Sequence, residues 1–390
     1  MGNAGRPGEA WRPLPCLRPR PAIFRVLIWV FIWIFIVLGI LACNGSATTS
    51  LPAVSPLIAD PPAEAATSVS LPGDEGTHDT SVEWWYFNGH LTDEEGDQYS
   101  FHFVAFQSEA IGGVTPHLFQ LSWADHARGE HITDEKPAFI TVETTPDLFD
   151  ISTSGWRMRG DGSIYDLTFD TGQYSVDLRA VSAKPAALHQ GTGLVSLGRA
   201  GETFYYSRTR LEVSGSVTLA GTGGRLPVQG VSWMDHQWGE LTVQPVGWDW
   251  LSLQLEDGSE LMAALVWDPE GHEPIAQYGT YVAIDGSAHS LDGGEIVLTP
   301  SGSWTSPTTG TVYPMGWSLG IDSLALSVEL IPVQQDAEFG DSRYAPAAYW
   351  EGAVSVTGAK EGQAVSGVGF VEMVGYDPRQ IDPPLPPRDR

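Results

Sequence analysis

The sequence is poor in cysteine and in lysine. The first shortage argues against a disulfide-stabilised protein, and the second against a nucleic-acid-binding one. Only Cys16 and Cys43 occur among 390 residues. Cleavage before Cys43 would leave one cysteine, so no disulfide can hold the mature chain and its core depends on packing. Lysine occurs three times, and 48 acidic residues against 20 Lys and Arg give a net charge of −28. A chain this acidic repels phosphate backbones and anionic lipid surfaces, so nucleic acid is not expected as a partner.

The familiar catalytic signatures are absent as well. The sequence contains no HExxH, no P-loop and no CxxC. His78, His90, His102 and His236 have acidic neighbours, but their spacing matches no standard ligand set. The sequence therefore predicts no metal site.

The N-terminus has the pattern of an export segment. Four arginines between residues 12 and 25 precede an uninterrupted apolar run over 26–42. Its 17 residues would span roughly 25 Å as a helix, which is short for a hydrocarbon core of about 30 Å. The following 40-ILAC-43 resembles a lipobox, so we expect a cleaved signal and lipidation of Cys43. An uncleaved N-terminal membrane helix is the alternative, and both place the rest of the chain outside the membrane.

From residue 77 onward the sequence has the pattern of short strands. Asp-Gly at 257–258 and 285–286 lies between alternating runs, which is a strong hairpin signal. No window of a dozen residues has a convincing helical period, so we predict an all-β, antiparallel fold of barrels or sandwiches. Alternation of period two is clear over 99–106, 164–170, 174–181, 209–221, 249–267 and 277–291.

The length predicts two such barrels. A barrel of eight to ten strands uses roughly 130–180 residues, and 77–376 is long enough for two. We expect the boundary in the loop-rich stretch 222–230 or just after Gly239. The predicted organisation is a signal or anchor over 1–43, a disordered tether over 44–76, barrels over 77–232 and 233–376, and a frayed Pro-rich tail over 377–390.

Three stretches place carboxylates among large aromatic rings: 83-EWWY-86, 233-WMDHQW-238 and 248-WDW-250. A carboxyl group enclosed by Trp loses hydration, which raises its pKa and suits it to act as a general acid. The same rings stabilise a developing cation by roughly 0.5–2 kcal/mol per contact. This combination favours protonation of an electron-rich alkene followed by addition of water. The candidate catalytic residues are Asp235, His236, Trp238 and Asp249, and the candidate ligand-binding residues are Glu83, Trp84, Trp85, Tyr86, Trp233, Trp248 and Trp250.

These residues also have a structural interpretation. Indole N–H groups often bond carboxylates to seal the end of a barrel, and for Glu83 the sequence leaves both interpretations open. Strand alternation sends Trp248 and Trp250 to one face and Asp249 to the other, so the three would share a pocket only across a bulge. Glu351 has the pattern of a strand start and is a weaker acid candidate.

Seven stretches resemble the AttH/CrtC family, which includes carotenoid 1,2-hydratase (hydroxyneurosporene synthase) and AttH-like secreted lipocalin-type proteins. The resemblance implies two tandem lipocalin-like β-barrels, in agreement with the strand pattern. For the hydratases it implies addition of water across the terminal isoprenoid double bond of an acyclic carotene, without a cofactor. The stretches run in order over about 77–376: 83-EWWYFNGHL-91, 184-KPAALHQGTG-193, 204-FYYSRTRLEVSG-215, 233-WMDHQWG-239, 247-GWDWLSLQLEDGSELM-262, 349-YWEG-352 and 368-VGFVEMVGY-376.

The resemblance also implies roles for single residues. His236 and Trp238 are similar to a His-x-Trp pair implicated in the hydratases. For the acid that acts with that pair, Asp235 and Asp249 are the nearest candidates, and Asp268 is a further one in a predicted hairpin turn.

The sequence thus predicts an exported protein at the outer face of the cell membrane that binds a hydrophobic, isoprenoid-like or polyene ligand. As an enzyme it would hydrate an alkene, with Asp235 or Asp249 as acid and His236 placing the water. Trp85, Trp238 and Trp248 would stabilise the cation. Two alternatives stay open: a non-catalytic carrier or sensor of lipids at the envelope, and a structural pair of barrels.

Overall fold

The computed structural model describes residues 67–140, 147–221, 224–241, 246–340, 342–344 and 348–381. The predicted signal or anchor, the lipidation candidate Cys43 and the tether up to residue 66 lie outside these ranges, as do residues 382–390. Within the described ranges, no helix has both the length and the apolar character needed to cross a membrane.

The described chain is almost entirely β-structure and forms two nearly closed antiparallel barrels, which confirms the predicted fold class. The first sheet contains β1 (Val82–Asp93), β2 (Gln98–Ser108), β3 (Thr115–Asp125), β4 (Glu130–Ile140), β5 (Phe149–Thr153), β6 (Trp156–Gly160), β7 (Ile164–Asp170), β8 (Tyr174–Ser182), β9 (Ala187–Leu188), β10 (Leu194–Ser196), β11 (Gly201–Leu219) and β12 (Arg225–Leu241). Its order is β4-β3-β2-β1-β12-β11-β8-β7-β6-β5, with β9 and β10 also paired to β11.

The second sheet repeats this plan. It contains β13 (Gly247–Leu255), β14 (Glu260–Trp267), β15 (Pro274–Val282), β16 (Ala288–Asp292), β17 (Ile296–Pro300), β20 (Trp317–Ile321), β21 (Leu326–Pro332), β22 (Glu338–Phe339), β23 (Tyr349–Lys360) and β24 (Gln363–Val374), while β18 (Trp304–Thr305) and β19 (Val312–Tyr313) form a separate small hairpin. The order is β16-β15-β14-β13-β24-β23-β21-β20-β17, with β22 on β23. In each sheet the last strand pairs with the first: β12 pairs with β1, and β24 pairs with β13. The first and last strands of each half therefore lie side by side within its sheet.

Short helical turns complete the described chain. They are 3-10 turns at Gly73–Glu75, His189–Gly191, Gly198–Ala200, Gly293–Glu295 and Asp322–Leu324, and one α-helical turn, α1, at Pro378–Ile381.

The pairing of strand β12 shows that the boundary between the two barrels lies later in the chain than residues 232–233. It pairs with β1 and β11 of the first sheet along its length, so the boundary predicted between residues 232 and 233 lies in the middle of a strand. By sheet membership the first half ends at Leu241 and the second begins at Gly247. Residues 67–76, assigned to the tether from composition, also pack: Val69 and Glu75 are buried against the first barrel. At the other end, buried Asp377 accepts a hydrogen bond from the backbone of Ala348.

Three apolar clusters hold the fold. The first barrel is filled mainly by aromatic side chains, among them Phe103, Trp123 and Trp156. The second is filled mainly by Leu and Val around Trp317 and Trp350. A third cluster joins side chains from both sheets, including Tyr86, Tyr205, Trp233, Trp250 and Phe370. We call this third cluster the inter-sheet layer.

Candidate functional site

Strand β12 separates the adjacent Asp235 and His236. Successive residues of a strand point to opposite faces of its sheet. Asp235 is paired in register with Tyr86 and faces the inter-sheet layer, whereas His236 is paired with Trp85 and faces the interior of the first barrel. The predicted acid and the predicted water-positioning group therefore do not share a pocket.

His236 belongs to a buried polar cluster at the β1 end of the first barrel. Its Nε2 lies 2.8 Å from Glu83 Oε1, and Nδ1 of His78 lies 2.7 Å from the same oxygen. The imidazole of His78 is stacked on Trp238 with ring centroids 4.0 Å apart. Trp85 stacks on His236 at 4.8 Å. The structure thus brings together Glu83, Trp85, His236 and Trp238 of the predicted set.

Hydrogen bonds and burial shift the pKa values within this cluster. Burial alone would lower the pKa of His78, but the neighbouring carboxylates of Asp74 and Glu83 outweigh it and raise the pKa to about 9. Burial opposes the charge of Glu83 too, yet the hydrogen bonds from His236 and His78 keep its pKa below the ordinary value. For His236 desolvation dominates and the pKa is lowered, so this imidazole is neutral at physiological pH.

Asp235 lies on the other face of β12, in the inter-sheet layer. Its carboxyl oxygens accept hydrogen bonds from Tyr205 Oη (2.7 Å), Trp233 Nε1 (2.7 Å) and Ser207 Oγ. Trp250 Nε1 donates in turn to Tyr205 Oη at 3.0 Å. Burial raises the pKa of Asp235 to about 6, although the three donors partly offset it. Three donors satisfy the carboxylate in a packed setting, which is the structural role weighed from the sequence.

Two further acids lie in this layer. Glu351 and Glu372 are cross-strand partners on β23 and β24. Burial and the neighbouring Glu372 raise the pKa of Glu351 well above its ordinary value, and burial raises that of Glu372 to about 7. Tyr86 Oη donates to Glu351, and Trp248 Nε1 donates to Glu372 Oε2 at 3.1 Å. A cavity beside Glu351 has a volume of only about 10 Å³, room for one water-sized group.

Sequence reasoning missed Glu372 as a site residue. The available signal was a carboxylate in the middle of the apolar stretch 368-VGFVEMV-374, where every neighbour is apolar or Gly. Trp84, also predicted to bind ligand, packs at the margin of the same layer and is partly exposed.

Asp249 occupies a different place from every other predicted site residue. As alternation predicted, Trp248 and Trp250 lie with the inter-sheet layer, while Asp249 faces the other side of β13. There it lines a cleft of about 200 Å³ at the end of the second barrel. Apolar side chains form most of the wall; the lining residues are Leu265, Val266, Trp267, Pro274 and Ala276, with Gln277, His272, Tyr376 and Asp249.

The cleft keeps Asp249 poorly hydrated. Its carboxylate accepts one hydrogen bond, from Tyr376 Oη at 2.8 Å. Burial raises the pKa of Asp249 to about 6 in spite of this bond. The aromatic wall is fixed by contacts of its own: His272 stacks on Trp267 at 4.6 Å, and Tyr376 meets Trp267 edge-on at 5.2 Å. Asp268, the further acid candidate, instead pairs with Arg199 on the surface.

The sequence and the architecture are both similar to those of known proteins. The sequence profile of the AttH-like family matches residues 62–376. Among solved structures, an AttH protein from Nitrosomonas europaea matches with a TM-score of 0.71 and 26% identity, covering 81% of this chain and 99% of that one. Kievitone hydratase from Nectria haematococca matches with a TM-score of 0.65 and 19% identity, covering 80% of this chain and 94% of its own, a similarity of fold. No curated protein sequence matches the chain significantly.

Proposed function

This chain belongs to the AttH-like family, and on that premise we propose that it hydrates the double bond of an apolar, isoprenoid-like alkene by acid catalysis. The observation that supports the proposal is the position of Asp249. It is a carboxyl group of raised pKa that lines a mostly apolar cleft of about 200 Å³. A cavity of apolar walls with a few polar groups and a perturbed acid is the ordinary form of a small-molecule site.

The proposed chemistry needs one acid, an aromatic wall and water. Protonated Asp249 transfers its proton to the less substituted carbon of the alkene, and the π electrons form the new C–H bond. The cation left on the more substituted carbon lies against Trp267 and Tyr376, whose rings stabilise it. Water adds to the cation through oxygen and returns a proton to the Asp249 carboxylate. The net reaction is addition of one water, with the acid regenerated and no cofactor consumed.

The size of the cleft limits what it receives. Its volume of about 200 Å³ is many times that of the water-sized cavity beside Glu351, so it has room for several carbon atoms. This suits the five-carbon end of an isoprenoid chain, with the remainder of a longer polyene lying outside. We therefore propose terminal double bonds as the reacting groups.

Asp235 is not the proposed acid, because its carboxylate already accepts three hydrogen bonds in close packing. His236 and Trp238 line the first barrel, so the proposal gives them no contact with an alkene bound at Asp249. In this proposal they stabilise the fold around Glu83.

Isotope incorporation tests the proposal. The purified full-length protein is incubated with an acyclic carotene and with a shorter terminal isoprenoid alkene in H₂¹⁸O, and the products are analysed by mass spectrometry. We expect one ¹⁸O atom per product with the wild type and none with Asp249→Asn. Asp322→Asn, at an exposed carboxyl of the same barrel, is the matched control and should keep full activity. Equal labelling by wild type and Asp249→Asn would overturn the proposal.

The second candidate is a non-catalytic lipid binder, which the open and mostly apolar cleft also suits. Binding of the same alkenes without labelled product, in wild type and Asp249→Asn alike, would favour it. Mass spectrometry of the molecules that co-purify with the protein would then identify the ligand class.

The setting of the activity is also a proposal. The arginine-flanked apolar run and 40-ILAC-43 support export and lipidation at Cys43. We expect mass spectrometry of the mature protein to find a lipid-modified N-terminal Cys43, and Cys43→Ser to release the protein from membranes. An intact N-terminus with the 26–42 segment retained would contradict cleavage.

A further inference from the structure

We propose that His78, Glu83 and His236 form a binding site for a divalent transition-metal ion, with Zn²⁺ the best match to the ligands. The three residues come from a segment before β1, from β1 and from β12, so no sequence spacing could indicate them together. Each offers one ligand atom, and the three atoms lie within 4.8 Å of one another. Two imidazoles and one carboxylate are a known Zn²⁺ ligand set, which leaves one coordination position open.

The two imidazole nitrogens both lie close to one carboxylate oxygen. Nδ1 of His78 and Nε2 of His236 are 2.7 and 2.8 Å from the same oxygen, Oε1 of Glu83. Two ligands of one tetrahedral ion are about 3.4 Å apart when each bond is about 2.1 Å. An ion fits if the two N···O distances lengthen by about 0.6 Å and the two nitrogens, which lie within 4.8 Å of each other, settle about 3.4 Å apart.

Groups outside the cluster already orient each ligand. Ligating histidines nearly always have a partner on the second ring nitrogen. For His78 this partner is Asp74, whose Oδ1 lies 3.6 Å from Nε2. For His236 it is Tyr206 Oη, 3.2 Å from Nδ1, and Tyr206 in turn donates to Glu75 at 2.7 Å.

The carboxylate of Glu83 is fixed in the same way. Its second oxygen, Oε2, accepts hydrogen bonds from the backbone N–H of His78 at 2.8 Å and from Gln107 Nε2 at 2.9 Å. Those two donors hold the group so that Oε1 is presented to both imidazoles.

Unpartnered polar atoms beside the cluster are an independent sign of a further ligand. Gln107 is buried, and its Oε1 has no hydrogen-bond partner although its amide already contacts Glu83. The buried Nε1 of Trp85, whose ring stacks on His236, also has none. Buried polar groups are nearly always satisfied, so such atoms require an explanation. A water on the open metal position would supply a donor and an acceptor there.

Direct binding of the metal alone tests the proposal. The full-length protein, stripped with a chelator and free of affinity tag, is titrated with Zn²⁺ by calorimetry and with Co²⁺ by visible absorption. We expect one ion per chain and intense Co²⁺ bands typical of four-coordinate sites. His78→Asn removes a ligand from the partly exposed residue, whose side chain is 20% exposed, and should weaken Zn²⁺ binding by more than about 10-fold. Asp74→Asn removes only the orienting group and should weaken it by about 10-fold.

His289→Asn is the matched control, because this exposed histidine lies on β16 of the second barrel, outside both the cluster and the cleft at Asp249. It should leave the affinity unchanged. Circular dichroism of each variant checks that the fold is retained. Failure of the wild type to bind Zn²⁺, or binding that survives His78→Asn with the fold intact, would overturn the proposal. Neither result would bear on the activity proposed for Asp249.

Discussion

Replacing Asp249 by Asn should make the protein more stable at neutral pH, which is unusual for a site residue. Asn keeps the shape of Asp and can still accept the hydrogen bond from Tyr376 Oη, but it carries no charge. Raising the pKa of Asp249 from the ordinary 3.8 to about 6 corresponds to about 3 kcal/mol. Because the residue is partly exposed, we expect about 2 kcal/mol after solvent screening.

The direction of the pH dependence follows from whether the folded or the unfolded state holds the proton of Asp249. Between pH 4 and about 6 the folded state keeps the proton on Asp249 while the unfolded state has lost it. The contribution of Asp249 to the stability of the wild type therefore falls as pH rises through this window and levels off above it. Asn does not titrate, so the stability difference between variant and wild type should be near zero at pH 3.5 and reach about 2 kcal/mol at pH 8.

Urea denaturation of wild type, Asp249→Asn and the control Asp322→Asn at both pH values measures this difference. Comparing variant with wild type cancels the titration of the other buried acids, such as Asp235 and Glu372. A variant less stable than the wild type at pH 8, or a difference that does not change with pH, would refute the assignment of a desolvated carboxyl group at Asp249.

Three further predictions concern the framework that positions the cleft and the cluster. Glu75→Gln removes the charge of a fully buried carboxylate that pairs with Arg208 and accepts a hydrogen bond from Tyr206. We expect the free energy of unfolding, measured by urea denaturation, to fall by about 3–5 kcal/mol. A loss below about 1 kcal/mol would contradict a buried ion pair. Gly230→Ala places a Cβ 1.9 Å from the carbonyl oxygen of His90, so β1 and β12 must separate. We expect thermal and urea unfolding to show a loss of about 1–3 kcal/mol in the free energy of unfolding. The control Gly320→Ala has open space around its Cβ and should lose less than about 1 kcal/mol. Trp317→Ala empties the centre of the second core and should cost about 3–5 kcal/mol by the same assay; a smaller loss would mean that the barrel collapses around the space.

The fold could be predicted from the sequence because period-two alternation is a local property. The run 249–267 contains its own hairpin signal at Asp257-Gly258, and the structure places β13 and β14 on either side of that turn. Alternation also separated Asp249 from its flanking tryptophans correctly. The same rule applies to 233-WMDHQWG-239, where it assigns neighbouring residues to opposite faces of β12, but the site hypothesis grouped Asp235 with His236 by adjacency.

The candidate site could be predicted only in part, because its neighbours come from distant strands. Nothing local indicates that β12 pairs with β1, which joins His236 to Glu83 over a sequence separation of 153 residues. Composition likewise assigned residues 67–76 to a tether, although Glu75 fits into the barrel because Arg208 and Tyr206 neutralise and bond its carboxylate there. Glu372 was missed because nothing in its own stretch of sequence indicates its cross-strand partner. The structure places Glu351 opposite it on the neighbouring strand.

The pH dependence of hydration tests the central claim most directly. If Asp249 donates the proton, kcat/KM for a terminal isoprenoid alkene should be highest at acidic pH. It should then fall by about tenfold per pH unit above an apparent pKa near 6, as the carboxyl group loses its proton. Asp249→Asn should abolish the reaction at every pH while keeping the alkene bound. A rate that rises between pH 5 and 8, or a variant that retains the wild-type profile, would contradict the account.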